Sequence, residues 1–401
     1  MVGTAIIGFA DALSAPEVAW SLADGGMRLA AFARKGRRTA LHWSRHIEVF
    51  DIAPPEVDFG RSGRDLQAAL DGLCERACGA ALVLMPLDDA AVWLCSKLSL
   101  KGRATLAGPT GDATLLALDK KRQIQLAQES GFAVPQTRYI GRFADLPTDD
   151  IGFPIVFKPS RAVSERDGKL GKGKSWICLD RTELQSASSD WGEREPMLLQ
   201  EFIQGTGEGL FGLATQQEVV GWTAHRRLRM MNPHGSGSSA CVIERVDESL
   251  KVAAERFLKQ CSWKGLFMVE LLADKEGKKW FMEFNGRPWG SMALARRMGF
   301  EYPAWSVEAA LGLAPSIAPP VGAREPILCR HLGRELLHLA FVARGPESRA
   351  LRQWPSLCKA LRDVVRLGRH DRWYNWRADD CGVFFADFCY TLRDNLLKRH
   401  H

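Results

Sequence analysis

Three polar side chains stand at alternate positions in the segment FMEFNGRPWGS, residues 281–291. Successive side chains of a β-strand point to opposite faces, so Glu283, Asn285 and Arg287 would share one face of a strand. An acid, an amide and a guanidinium group side by side suit a site that binds a metal ion together with an anion. The segment therefore predicts a strand that presents a functional site.

A second strand carries a matching acid. In GLFMVELL, residues 265–272, alternate apolar side chains can face a core while Glu270 faces away. Glu283 follows 13 residues later (283 − 270) after the turn ADKEGKK, so a hairpin can place both carboxylates at neighbouring positions. Together with the Asn285 oxygen they would suit Mg²⁺ completed by phosphate oxygens. The alternative is that both acids only line the solvated face of a hairpin.

Basic residues precede this hairpin. Arg227 and Arg229 in AHRRLRMMNPHGSGSS, residues 224–239, would share one face of a strand, and guanidinium groups bind carboxylate and phosphate oxygens bidentately. Lys158 ends the apolar strand FPIVFKPS, where its charge can lie at the rim. The glycines of segment 160–176 would leave backbone N–H groups free to close over phosphates as a mobile loop. The structural alternative for the two arginines is a solvated basic strand, and the alternative for segment 160–176 is an exposed hairpin.

The segment MLLQEFIQGTGEG, residues 197–209, has features of a nucleoside-binding hinge. A short apolar strand leads to Gln200 and Glu201, then to Ile203 and a turn that carries Glu208. Backbone groups of such a segment can bind the edge of a purine, and an acid one turn later can accept from ribose hydroxyls.

The elements that must position these residues follow from the hydrophobic pattern. From residue 4 to about residue 109, short apolar runs alternate with helix-like stretches, which is the βαβ pattern of a parallel sheet with helices on its faces. The first βα turn, IIGFADALSAPE, lacks the glycine pattern that binds a dinucleotide. Helices are predicted here at 15–24, 64–77 and 88–98.

The pattern of predicted elements changes in the rest of the chain. From about residue 111 to about residue 313, strands and glycine-rich loops dominate. Helices are predicted in this part at 115–130, 248–260 and 291–299. The Pro-rich segment 313–326 reads as a linker or crossing loop, and amphipathic helices follow it.

Composition limits the classes of protein. The 401 residues, 46% hydrophobic and 25% charged, are enough for two or three domains. A formal net charge of +7 favours anionic ligands without naming one. Ten scattered cysteines suggest reduced thiols, and neither a signal peptide nor an apolar run of membrane-spanning length is present. The sequence therefore predicts a cytoplasmic protein.

The order of these motifs resembles the ATP-grasp superfamily, and within it the carbamoyl-phosphate-synthase-like carboxylate–amine ligases. The resemblance covers roughly residues 110–300, from LDKKRQIQLAQ through VFKPS and LLQEFIQGTGEG to RRLR, VELL and MEFNGR. It implies an α/β (α+β) fold in three parts. These are a Rossmann-like pre-ATP-grasp domain at 1–110, a two-lobed ATP-grasp domain at 111–319, and a mostly helical C-terminal extension at 320–401.

The resemblance implies roles for individual residues, and the implied nucleotide-binding residues are Lys120, Lys158, Gln200, Glu201, Ile203 and Glu208. The first two would bind the α- and β-phosphates, with Lys121 as the alternative to Lys120. Gln200 would accept from the exocyclic amine of adenine. Glu201 and Ile203 would contribute backbone groups, and Glu208 would bind ribose. Among the remaining residues, Glu270, Glu283 and Asn285 would hold Mg²⁺ or Mn²⁺, and Arg287, with Arg227 or Arg229, would bind the γ-phosphoryl group and the substrate carboxylate.

The implied activity is ATP-dependent activation of a small carboxylate as an acyl phosphate, followed by attack of an amine. The implied partners are small-molecule carboxylate and amine substrates, without nucleic acid or membrane, and a homodimer is allowed. Two alternatives stay open: a carboligase or carbamoyl-type enzyme acting on bicarbonate or carbamate, and a nucleotide-binding sensor without turnover.

Overall fold

A computed structural model of the chain describes residues 3–77, 79–149, 151–235, 237–317, 327–346, 349 and 354–397. It contains α-helices, strands and short 3₁₀ turns, the last at Ala40–Trp43, Phe143–Asp145 and Ala378–Asp380. None of the helices in these ranges is both long and apolar enough to cross a membrane.

The first part of the chain forms the parallel sheet that the sequence predicts. Its strands, in the spatial order β3-β2-β1-β4-β5, are β1 (Gly3–Gly8), β2 (Arg28–Arg34), β3 (Glu48–Ile52), β4 (Ala81–Pro86) and β5 (Thr105–Leu106). The helices between them are α1 (Ala15–Asp24), α2 (Phe59–Ala77) and α3 (Asp89–Cys95). The central strands are apolar almost throughout because helices cover both faces of the sheet.

The next part forms a small antiparallel sheet with helices beside it. Two helices open it, α4 (Asp112–Leu118) and α5 (Lys120–Ser130). The helix predicted at 115–130 is therefore broken at Asp119, whose side chain caps α5. The sheet, in the order β10-β7-β11-β6, contains β6 (Thr137–Ile140), β7 (Ile155–Pro159), β10 (Trp176–Cys178) and β11 (Met197–Glu201). A separate hairpin of β8 (Ser164–Arg166) and β9 (Lys169–Gly171) and the helix α6 (Arg181–Trp191) complete this part.

A seven-stranded sheet forms the largest layer, in the order β16-β15-β12-β13-β14-β17-β18. Its strands are β12 (Thr206–Ala214), β13 (Val219–Met230), β14 (Ser238–Glu244), β15 (Gly265–Ala273), β16 (Lys279–Asn285), β17 (Leu328–Arg330) and β18 (Asp371–Trp373). The helices that accompany it are α7 (Glu248–Gln260), α8 (Met292–Arg297), α9 (Tyr302–Ala310), α10 (Leu332–Arg344), α11 (Leu357–Val365) and α12 (Cys381–Leu397).

The two faces of this sheet pack against different helices. Phe267, Val269 and Phe284 belong to a core cluster that includes residues of α5 and α7. Met268, on the opposite face of β15, packs with Trp289 and with residues of α8 and α9. Because side chains alternate along a strand, Glu270 shares the second face with Met268.

The C-terminal region contributes strands to the large sheet as well as helices. β17 pairs with β14 and β18 pairs with β17, so two short strands from this region extend the large sheet. Helix α10 also packs against β13 and β14. The predicted domain boundary between 319 and 320 lies outside the described residues, and the division into three domains stays a prediction.

Candidate active site

The two acids predicted to bind a metal lie side by side. Glu270 on β15 and Glu283 on β16 are direct cross-strand partners, which confirms the pairing that the sequence predicts. Asn285, two residues after Glu283, is 7% exposed, and its amide makes no hydrogen bond to another described residue. Two carboxylates and a free amide oxygen therefore occupy one small area of the sheet.

Two cations offset the repulsion between these acids, which would otherwise destabilise the pair. Arg227 Nη2 lies 2.7 Å from Glu270 Oε1. Lys120 Nζ lies 3.7 Å from Glu283 Oε2. Each of the two carboxylates is thus in contact with a group that could bind phosphate, and phosphoryl transfer needs both kinds of group together.

Arg227 reaches Glu270 across an intervening strand. β12 lies between β13, which carries the arginine, and β15, which carries the acid. A Cβ atom at Gly207 of β12 would lie only 2.7 Å from Arg227 Cδ, well inside the contact distance of two carbon atoms. The absence of a side chain at this position is therefore what lets the arginine lie over the strand.

Helix α5 directs Lys120 to the acids and turns Lys121 away. Both residues lie in the first turn of the helix, after the capping residue Asp119. Lys120 contacts Glu283, whereas Lys121 Nζ lies over the ring of Tyr139, 4.0 Å from its centroid. The geometry favours Lys120 as the phosphate-binding residue.

A buried glutamine that the sequence analysis missed fixes the strand of Glu283 and Asn285. Gln123 of α5 accepts from the N–H of Phe284 and donates to the carbonyl of the same residue, both at 3.0 Å. β16 is an edge strand, so this amide takes the place of a neighbouring strand. Nothing in QIQLAQ distinguishes a buried glutamine from an exposed one, so no sequence signal marked it.

Lys158 joins the same cluster of charges from the four-stranded sheet, where it lies opposite Leu198 of β11. Burial lowers the pKa of its ammonium group to about 8; Lys120 lowers it as well, while Glu283 and Glu270 act in the opposite direction. The lysine predicted from the strand ending therefore lies close enough to both acids and to Lys120 to sense their charges.

Gln200 offers an unused acceptor at the end of β11. Its Nε2 donates to Thr137 Oγ1 at 2.8 Å, and the single hydroxyl hydrogen of Thr137 goes to the carbonyl of Pro135 at 2.8 Å. This fixes the orientation of the amide, because Thr137 can only accept from it. Gln200 Oε1 is then left buried without a hydrogen-bond partner. A buried oxygen of this kind suits a ligand that donates an N–H.

The residues after Gln200 differ in which of their groups remain open for a ligand. The N–H of Glu201 donates to the carbonyl of Gln136 at 2.9 Å, so only its other groups remain for a ligand. The N–H of Ile203 makes no hydrogen bond within the described part of the chain. Glu208 Oε2 lies 3.0 Å from Lys279 Nζ, and a carboxylate held in this way keeps further acceptor sites.

An aspartate from the first sheet also belongs to the site. Asp89, the first residue of α3, accepts from Arg287 Nε at 2.6 Å, and its other oxygen lies 3.6 Å from Lys172 Nζ. Burial would raise the pKa of Asp89, but Arg287, Lys172 and Lys120 outweigh it and hold the pKa near 2. Burial would likewise lower the pKa of Arg287, but Asp89 raises it above its usual value. Sequence reasoning missed Asp89 because 198 residues separate it from Arg287.

The glycine-rich segment 160–176 forms the hairpin that was its structural alternative. β8 and β9 pair antiparallel around a turn at Asp167 and Gly168, which have φ angles of 49° and 70°. Leu170 of β9 is 2% exposed and packs in the core of the first sheet. The anchored hairpin leads directly to Lys172, the residue that contacts Asp89.

The two arginines of β13 do not converge as expected. The pairing of β13 with β14 shifts between Arg227 and Arg229, and such a bulge breaks the alternation of side chains. Arg229 instead contacts helix α10, where its Nη2 lies 2.6 Å from Oε2 of the fully buried Glu335. The shared face proposed for these two arginines is a wrong prediction, and of the two only Arg227 contacts one of the paired acids, Glu270.

The donor set fits a metal ion that also binds phosphate. Among the described residues, no group of three or more His, Cys, Asp and Glu side chains could hold a metal by itself. Glu270, Glu283 and the Asn285 amide give an open, all-oxygen set, which is the kind that Mg²⁺ uses when phosphate oxygens complete its coordination. The buried acceptor of Gln200 likewise fits an adenine amine.

Comparisons with known proteins identify the fold. No protein-family model matches the chain. The biotin carboxylase domain dimer of 2-oxoglutarate carboxylase from Hydrogenobacter thermophilus, in complex with MgADP, ADP and bicarbonate, matches with a TM-score of 0.58 and 15% identity, over 79% of this chain and 71% of that one. The L-amino acid ligase from Bacillus licheniformis matches with a TM-score of 0.55 and 15% identity, over 77% and 74% of the two chains. The chain has the ATP-grasp fold.

The ATP-grasp resemblance drawn from the sequence is confirmed at the level of the fold. In sequence, the D-alanine–D-alanine ligase of Stutzerimonas stutzeri (strain A1501) is 25% identical over 189 residues, which cover 44% of this chain and 57% of that protein. The chain thus spans just over half the length of this curated relative. At these identities the ATP-grasp fold is shared, and the reaction must be argued from the site.

Proposed function

We propose that this ATP-grasp protein is an ADP-forming ligase that activates a small carboxylate as an acyl phosphate and joins it to an amine. The observation that carries the proposal is the pairing of Glu270 with Glu283 beside Asn285, with Arg227 and Lys120 in contact with the two acids. A site that only bound nucleotide would not require this combination of metal ligands and phosphate-binding cations.

ATP and Mg²⁺ are assigned to the residues whose donors are open. Glu270, Glu283 and Asn285 would hold the metal ion, which would neutralise charge on the transferred phosphoryl group. Lys120 and Lys158 would bind the phosphates. The remaining nucleotide-binding residues are Gln200 for the adenine amine, Glu201 and Ile203 for the purine edge, and Glu208 for ribose.

Two arginines would act on the reacting groups. Arg227 and Arg287 are held by Glu270 and Asp89, so each guanidinium has a fixed position and still has N–H groups to offer. They would orient the substrate carboxylate against the γ-phosphate and stabilise the charge that develops there. No covalent step is asked of the protein, and catalysis would come from positioning and charge stabilisation.

A carboligase that uses bicarbonate in place of an organic carboxylate is a second candidate. It is favoured by the structural similarity to the Hydrogenobacter thermophilus domain, whose complex contains bicarbonate and MgADP. The same nucleotide and metal residues would serve either reaction. The two candidates differ in their requirement for an amine and for bicarbonate.

The proposal is tested by ADP release from the purified protein with ATP and Mg²⁺, across pools of amino acids and small carboxylic acids with and without amines. The ligase predicts release that needs both a carboxylate and an amine. Glu283→Gln and Arg287→Ala should each lower turnover by about 10²- to 10³-fold, because each removes one preorganised charge. Release that depends on bicarbonate alone would favour the carboligase, and near-wild-type turnover in Glu283→Gln would contradict the metal assignment.

A further inference from the structure

Arg334 lies near enough to Arg227 for the two charges to repel, and the proposed function does not use it. It lies in the first turn of α10, after the capping residue His331. Its Nη1 donates to the carbonyl of Ser238 on β14 at 3.3 Å. It is half-buried, and no carboxylate of the described residues forms an ion pair with it.

The surroundings of Arg334 repeat the arrangement around Arg227. A Cβ atom at Gly237 would lie 2.5 Å from Arg334 Nη1, just as one at Gly207 would collide with Arg227. In both places a glycine lets a guanidinium group lie close against the backbone of a strand. Gly237, which precedes β14, therefore leaves room for the guanidinium group of Arg334.

The charges around Arg334 compensate its own charge only in part. Burial lowers its pKa, Asp387 and Tyr374 raise it, and Arg227 lowers it again, so that the net direction is down. Arg287 shows the opposite direction because Asp89 contacts it directly.

Among the described residues, the acid that acts on Arg334 is Asp387, and it is engaged elsewhere. Asp387 lies 2.9 Å from His331 Nε2 and accepts from Asn375 Nδ2 at 3.2 Å. Two neighbouring guanidinium groups, one of them without an acid in contact, form a place where an anion from outside would be stabilised.

We propose that Arg334, together with Arg227, binds an anionic group of the substrate other than the carboxylate that is phosphorylated. A carboxylate or a phosphate would match the planar N–H groups of both side chains. The inference rests on the proposed function and deepens it, because it assigns the substrate to molecules with a second anionic group, such as an amino acid that reacts through its amine. Simple amines and monocarboxylates would lack this contact.

The direct test is the binding of small anions to the full chain by isothermal titration calorimetry. Succinate and inorganic phosphate are the probes, with saturating MgADP and constant ionic strength. Wild type should bind at least one of them. Arg334→Gln should bind that anion at least about tenfold more weakly, which is the usual cost of losing a hydrogen bond to a charged group. The probe that binds distinguishes a carboxylate from a phosphate source.

A matched control lies on the same helix. Arg344→Gln removes the same charge from the exposed last turn of α10 and should leave anion binding unchanged. Arg334→Lys keeps the charge but loses the planar donors, and should show an intermediate loss. Unchanged ADP affinity in each variant would show that it is folded.

The outcomes separate this inference from the proposed function. Equal anion binding by wild type and Arg334→Gln, or no binding of either probe by wild type, would overturn the anion site while leaving the ligase proposal standing. Failure to bind ADP or to release it in any substrate pool would count against the proposed function instead. With a substrate in hand, Arg334→Gln should raise its KM about tenfold with the KM for ATP unchanged.

Discussion

At the scale of single residues, the site depends on charges that are held by their neighbours. Glu270 contacts Arg227, Glu283 contacts Lys120, and Arg287 contacts Asp89. Each of these charged groups is therefore held in position before any ligand arrives. Such preorganisation is what electrostatic catalysis requires, because little energy is then spent on reorienting groups during the reaction.

Lys158 gives the site a predicted dependence on pH. Its pKa of about 8 in the free protein means that it is charged below pH 8 and becomes neutral above it. If its charge binds phosphate, kcat/KM for ATP should fall by about tenfold between pH 8 and pH 9.5, since this parameter reports the ionisation of the free enzyme. Lys158→Arg stays charged throughout this range and should remove the fall. A profile that is the same in wild type and Lys158→Arg would show that Lys158 is not the titrating group.

At the scale of elements, Gln123 links helix α5 to strand β16. Gln123→Leu would leave the buried N–H and carbonyl of Phe284 without this partner, and each such group costs about 1–3 kcal/mol. Urea unfolding should show a loss of about 2–4 kcal/mol in the free energy of unfolding. Gln125→Leu, on the exposed face of the same helix, is the matched control and should change it by less than about 0.5 kcal/mol. A loss of equal size in both variants would mean that helix α5, and not the amide contact, is what the substitution affects.

The elements also show how far sequence patterns reach. Alternation along β16 and the length of the hairpin were enough to predict that Glu283 and Glu270 meet, because both features are local. The same alternation failed for Arg229, since one bulge in β13 separates it from Arg227 and no residue of RRLR marks the bulge. Helix α5 likewise directs Lys120 and Lys121 to different sides, and the sequence does not show which of the two reaches the site.

At the scale of the whole molecule, the site lies where separate sheets meet. The large sheet supplies Glu270, Glu283 and Arg227, the small sheet supplies Lys158, and the first sheet supplies Asp89 through α3. The hydrophobic pattern predicted the first sheet, but it did not mark any residue of that part of the chain as belonging to the site. Asp89 and Arg334 could not be placed from sequence, because their partners are distant in the chain and only the folded arrangement brings them together.

Metal binding at the paired acids can be measured by a titration of Mn²⁺, followed by electron paramagnetic resonance, in the presence and absence of ADP. Wild type should bind Mn²⁺ strongly only when ADP is present, because Glu270, Glu283 and Asn285 form an open set that phosphate oxygens complete. Glu283→Gln should weaken this binding by at least about tenfold and leave ADP binding without metal intact. If Glu283→Gln binds Mn²⁺ with ADP as tightly as wild type does, the paired acids are not the metal site and the account of the active site is wrong.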